Sequence, residues 1–165
     1  MPRSFQRPPG VLSRLTPDWF ARSGAAGCAT ANPGAGQFGV VSLFNNDTAG
    51  RPIYVYGVYV ITFGAAACDM QIFHGPFGTF NYAGGALYSG FGTGSISGNT
   101  YVGNSVTTQI GYDIGEIGVR NGAMYWPYSW PCAILAGGDS LLVVGLNPAV
   151  SFLAGFWWFI DDDLK

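Results

Sequence analysis

The chain contains one histidine, His74, in the stretch QIFHGPFG. Catalysis by proton transfer needs a base held within reach of a substrate, and a lone imidazole next to Gly-Pro reads as a turn or interface residue; no catalytic residue is assigned. Cys68, Asp69 and His74 are the only cluster of metal-ligand types. Their spacing matches none of the paired motifs that hold zinc, so neither metal nor cofactor is expected. Asp113 and Glu116, in YDIGEIGV, could act as a glycosidase pair only across a cleft. On a regular strand, positions three apart face opposite sides, which makes them solvated edge charges that discourage wrong pairing. The run Gly90-Phe91-Gly92-Thr93-Gly94 has phosphate-loop composition, but no strand-to-helix transition follows it. Asp161, Asp162 and Asp163 could hold a divalent cation, although a solvated, self-repelling end is the simpler reading.

Two groups of residues are better suited to recognition than to reaction. In MYWPYSWP, the rings of Tyr125, Trp126, Tyr128 and Trp130 are interleaved with prolines that keep the backbone extended. Displayed on a stiff loop, they could fill pockets on a neighbouring subunit as aromatic anchors do, stack on sugar rings, or cap the open end of a sandwich. The second group is the N-terminal segment, where Arg3, Arg7, Arg14 and Arg22 are opposed only by Asp18. Four arginines in an acidic chain make a weak polyanion signal, so nucleic acid is not expected and tethering to a protein partner is favoured. Between them, Thr16-Pro17-Asp18-Trp19-Phe20 has a cap residue, proline at the first helical position and an acid in the first turn, with Gly24 beyond the end. A short helix near 17–23 would present Trp19 and Phe20 as an apolar plug.

The elements that must position these groups are β-strands. Residues 1–36 read as an arm of small residues, prolines and scattered arginines, and residues 37–165 as one β-domain. Candidate strands are FGVVSLF, IYVYGVYVITF, CDMQIF, ALYSGF, SVTTQI, IGEIGV, CAILA, SLLVVGL and SFLAGFWWFI, separated by Gly, Asn and Pro clusters at the spacing of a sandwich or barrel. The run Ile53–Phe63 is apolar at both alternating sets of positions, which predicts cover on both sides. Glycines inside strands, at 39, 57, 115, 118 and 155, predict bulges or close backbone approach.

Ser140 to Ile160 lacks any charge and has the length of a membrane span. Gly145, Asn147 and Pro148 in its middle would break a helix, so it reads as two strands and a turn, a hairpin, with no membrane association. The start of the chain has no apolar core of signal-peptide type, and three widely spaced cysteines, Cys28, Cys68 and Cys132, read as buried thiols in a reducing compartment. The chain is 48% hydrophobic, 16% aromatic and 10% charged, against about 25% charged for an average soluble domain. Its net charge of −2 supplies little repulsion between molecules, and from Met70 to Tyr112 there is no Asp, Glu, Lys or Arg. Burial between subunits and a neutral surface loop both fit that stretch; the whole predicts a homo-oligomer.

The C-terminal segment WPCAILAGGDSLLVVGLNPAVSFLAGFWWFIDDD resembles the ending of small β-sandwich virion proteins of tailed bacteriophages, in which Pro precedes an apolar strand, a Gly-Asp turn follows, and an aromatic strand ends in acids. VVSLFNNDTAGRPIYVYGVYV is similar to their first hairpin. The resemblance implies an all-β, antiparallel, jelly-roll-like sandwich forming trimers or other rings as a capsid decoration, collar or tail part, with other virion proteins as partners and the virion, assembled in host cytoplasm without a secretion signal, as location. It brings no catalytic residues. The rival reading from residues alone is a carbohydrate-binding or receptor-recognition module using exposed Trp and Tyr.

Overall fold

The computed structural model describes residues 24–63, 68–76, 83–84, 86–88, 99–105, 112–119, 123–127 and 133–160, and among them every regular element is a strand. The strands are β1 (Gly24–Ala31), β2 (Phe38–Phe44), β3 (Ile53–Thr62), β4 (Cys68–Pro76), β5 (Ala83–Gly84), β6 (Ala86–Tyr88), β7 (Asn99–Ser105), β8 (Tyr112–Val119), β9 (Ala123–Pro127), β10 (Ala133–Leu135), β11 (Asp139–Gly145) and β12 (Phe152–Ile160). They form two antiparallel sheets. The first has the order β10-β3-β12-β1-β6, with β9 also pairing β3, and the second the order β5-β7-β2-β11-β4-β8.

One core lies between the two sheets. Ile53, Val55, Val58 and Val60 of β3 and Phe152, Phe156 and Trp158 of β12 meet Val41 and Leu43 of β2, Met70 and Ile72 of β4, and Leu141 and Val143 of β11. Val40, Leu142 and Val144 lie on the other side of the second sheet and are buried too, packed with Phe38. Strands covered on both faces need apolar residues at every position, which is why FGVVSLF and SLLVVG lack alternation.

In β3 the apparent two-sided pattern has another cause. Trp157 pairs with Gly57 and Trp158 with Val55, so Tyr56 is an extra residue, a bulge that switches the inward set from 53 and 55 to 58 and 60. The opposite face carries Tyr54, Tyr59, Ile61 and Phe63, the last exposed. Cover on both sides, expected for this strand, therefore holds for β2 and β11 and not along all of β3.

The body also begins earlier than sequence patterning places it. Residues 24–31, assigned by composition to the arm, form β1, paired with β12 from Gly24↔Phe159 to Ala31↔Phe152. Small residues occupy this strand because its neighbour is large: Ala25, Ala26 and Gly27 face Trp158, Trp157 and Phe156 in register, and alternating small against large fills the layer. The 17–23 helix lies outside the described residues.

The two hairpins expected from sequence are corrected. β2 and β11 belong to one sheet, β3 and β12 to the other, so the connections 45–52 and 146–151 bridge the roughly 10 Å between sheets instead of reversing within one. The first bridge is organised by Asn45, fully buried. Its side-chain amide donates to the carbonyls of Arg51 and Leu135, both at 2.9 Å, and its side-chain oxygen accepts from the Asp47 amide at 3.0 Å. Asp47 in turn pairs with Arg51, Oδ2 to Nε 2.6 Å. The second bridge is tied down by Leu146 N–H on the Asp69 carbonyl at 2.7 Å and Ala149 N–H on the Gln37 carbonyl at 2.9 Å.

Within 70–112, where sequence alone gives no strand order, β7 pairs β2, β5 pairs β7, and β6 pairs β1. SVTTQI overlaps β7 only at Ser105; the strand is NTYVGNS.

Candidate interaction site

His74 stands near the end of β4, opposite Leu141 and Tyr112. Cys68 is six residues away on the same strand, roughly 20 Å along it, and enclosed in the core. The three residues of metal-ligand type are therefore spread along the strand, and among the described residues no three His, Cys, Asp or Glu side chains converge. Burial pushes the Cys68 thiol above its ordinary value, against the smaller opposing effect of backbone hydrogen bonds from Asn147 and Leu146. Cys28 is only half-buried, which corrects the expectation of a uniformly buried set; Cys132 lies outside the described residues.

What does converge on His74 comes from three other strands. Asp139, at the start of β11, places Oδ2 3.6 Å from His74 Nε2, too long for a hydrogen bond, and Nε2 has no hydrogen-bond partner. Asp139 is fixed by the turn that precedes it: its N–H donates to the Ala136 carbonyl at 3.0 Å, its carboxylate accepts from the Ala136 N–H at 3.3 Å, and Gly138 supplies the φ of 88° that glycine adopts without strain. The Ser140 hydroxyl beside it is buried and donates to the Gly75 carbonyl at 2.7 Å. It is directed away from the imidazole's chemistry.

A cavity of about 140 Å³ opens here, lined by His74 of β4, Ile114 of β8, and Ala133 and Ile134 of β10. It sits where the outer strand of one sheet meets the outer strand of the other. Ile114 and Ile134 are 44% and 54% exposed, two of three large hydrophobic side chains so exposed among the described residues. Ile114 arrives through a bulge: Phe73 pairs with Asp113 and Ile72 with Gly115, leaving Ile114 as the extra residue. Asp113 stabilises that bulge by accepting from the Gly115 N–H at 3.0 Å.

The same bulge corrects the placement of the two acids. Asp113 faces Phe73 and Glu116 faces Gln71 in register, and residues 71 and 73 share one side of β4. Asp113 and Glu116 therefore lie on one face, both exposed, the face opposite the one that His74 occupies.

Of the recognition residues read from sequence, Tyr125 and Trp126 belong to β9, in register with Tyr59 and Val58. This overturns their display on a loop: the prolines end the strand at Pro127 without preventing it. Tyr128 and Trp130 lie outside the described residues, as do Arg3, Arg7, Arg14, Trp19, Phe20 and Arg22 of the arm. Ile114, Ile134 and Asp139 carry no sequence signal of their own, because only the tertiary meeting of β8 with β10 gives them a common role.

Family models, curated proteins and solved structures were compared with the chain, and none matches. No helix among the described residues is long and apolar enough to cross a membrane.

Proposed function

We propose that the chain is a non-enzymatic structural protein of a virus particle, of the tailed-phage kind, built as a self-associating jelly-roll sandwich that docks on neighbouring virion proteins through its N-terminal arm. Strand order supports the jelly-roll part of this reading. A jelly roll wraps an antiparallel ribbon so that, of its eight strands, 1-8-3-6 form one sheet and 2-7-4-5 the other. With β9 and β10 taken as one interrupted strand and β5 to β7 as an insertion, the orders β1-β12-β3-β9/β10 and β2-β11-β4-β8 correspond to it. The architecture is common in capsid proteins and also in lectins, so fold alone does not choose between them. The choice rests on the low charge, which favours a body shielded by its own copies, and on the resemblance of both inter-sheet segments to phage virion proteins.

Size-exclusion chromatography with light scattering tests the reading. A stable oligomer, a trimer first among the possibilities, is the expected result, and a clean monomer at micromolar concentration refutes it. Deletion of residues 1–22, upstream of β1, should leave the β-body folded and abolish incorporation into particles. Unchanged incorporation would remove the arm from the account.

A further inference from the structure

We propose that the cleft between β8 and β10 receives the Trp19–Phe20 segment of a second copy of this chain, an inference that rests on the assembly proposed above and assigns its contact. The cavity of about 140 Å³ is close to the roughly 150 Å³ that accommodates a benzene ring. Ile114, Ala133 and Ile134 give it apolar walls beside His74, with Ile114 and Ile134 left exposed, and Asp139, 3.6 Å from His74, places a carboxylate at its margin.

The segment has the complementary chemistry. Residues 1–23 hold four arginines against one aspartate, a net +3; the whole chain is −2, which leaves −5 on the remainder. Arg14 and Arg22 bracket the two rings, so a ring in the cavity brings guanidinium groups to the acidic margin. Long-range attraction of this sign speeds encounter, and ring burial holds the complex.

Geometry favours a neighbour's segment over the chain's own. Gly24, Phe159, Tyr54 and Ile134 are successive partners in one row across the first sheet, so the arm leaves the body about 14 Å, three strand spacings, from Ile134. Four Cα–Cα steps lead from Gly24 back to Phe20 and reach about 14 Å when fully straight. That leaves no slack for turning past the β10 edge into a cavity whose far wall is β4 and β8. A second copy has no such limit, and in a ring of copies each arm can enter the cleft of the next.

Three full-length proteins test this: the unaltered chain, a Trp19→Ala/Phe20→Ala variant lacking the plug, and an Ile134→Asp variant with a charged cleft. Circular dichroism checks that each remains folded; position 134 is solvent-facing enough for that to be expected. Association followed by light scattering and sedimentation should weaken about 10- to 100-fold in either variant, the equivalent of losing one buried ring. Mixing the two should restore a 1:1 pair, in which the intact arm of the Ile134→Asp copy enters the intact cleft of the other. An oligomer indifferent to both changes, or one weakened by both and not restored by mixing, overturns the cleft assignment while leaving self-association standing. An unaltered chain that is itself monomeric overturns the proposed assembly as well.

Discussion

Replacing Gly155 by alanine should destabilise this protein although it adds only a methyl group to a β-strand. Gly155 of β12 is directly opposite Tyr59 of β3, and a Cβ at 155 would collide with the Tyr59 ring at Cε1, Cζ and Oη. The arrangement is reciprocal one step along: Trp157 lies over its own partner Gly57, where an added Cβ would be 2.8 Å from Cε3, and the Tyr59 and Trp157 rings meet at 5.9 Å between centroids. Glycine here provides room for a neighbour's ring, an aromatic rescue of a residue with nothing of its own to pack. Overpacking costs about 1–3 kcal/mol, and a displaced Tyr59 forfeits about 0.5–1.5 kcal/mol of ring contact. Alanine recovers about 0.5–1 kcal/mol of backbone entropy, and Tyr59 is half-buried, so part of the strain relaxes as the ring swings outward. A net loss of about 1–2 kcal/mol follows, a Tm lower by about 2–8 °C for a domain of this size. Thermal and urea unfolding at one fixed protein concentration would measure it, since association shifts apparent stability. In a Tyr59→Ala background the same Gly155→Ala change should be neutral or stabilising, giving a coupling of about 1.5 kcal/mol or more in the double-mutant cycle. A Gly155→Ala protein as stable as the original with Tyr59 in place would refute the reasoning.

Asn45→Asp keeps the shape of the inter-sheet clamp but replaces the amide that donates to Arg51 and Leu135 with a buried carboxylate facing two carbonyls. A loss of about 3–5 kcal/mol is expected at neutral pH, read by urea denaturation; a change below about 1 kcal/mol would show that the clamp is dispensable. The Cys68 thiol is raised by burial, so the folded protein keeps a proton that the unfolded chain releases more readily. Its contribution is complete below the thiol's ordinary value and fades as pH rises through the raised one. Stability should fall on the alkaline side, less so in Cys68→Ala after allowing for that variant's own cavity cost, and thiol labelling of the native protein at mildly alkaline pH should modify Cys28 well before Cys68.

Strands with strong apolar character were legible in sequence because both of their faces, or one alternating face, must be hidden: β2, β3, β11 and β12 fall where their residues place them. β1 was not, since GAAGCATA is apolar only in the sense of being small, and its partner's tryptophans and phenylalanines lie more than a hundred residues away. Bulges were equally invisible. Each adds one residue to one strand of a pair, so it is defined by the partner's register, and those at Tyr56 and Ile114 reversed what simple alternation gave for β3 and for Asp113 with Glu116. The cleft shares that property: His74 drew notice for its chemistry, while Ile114 and Ile134 are ordinary strand residues until two sheet edges meet.

The pairing of β1 with β12 also orders events in time. A nascent chain presents residues 24–31 more than a hundred residues ahead of their principal partner, residues 152–159. Until then the interior is incomplete and unpaired strand edges are a standing invitation to aggregation. A strand made of alanine, glycine, cysteine and threonine offers little grease to passing molecules during that wait, whereas the tryptophan- and phenylalanine-rich strand that could do harm leaves the ribosome only when its seat already exists.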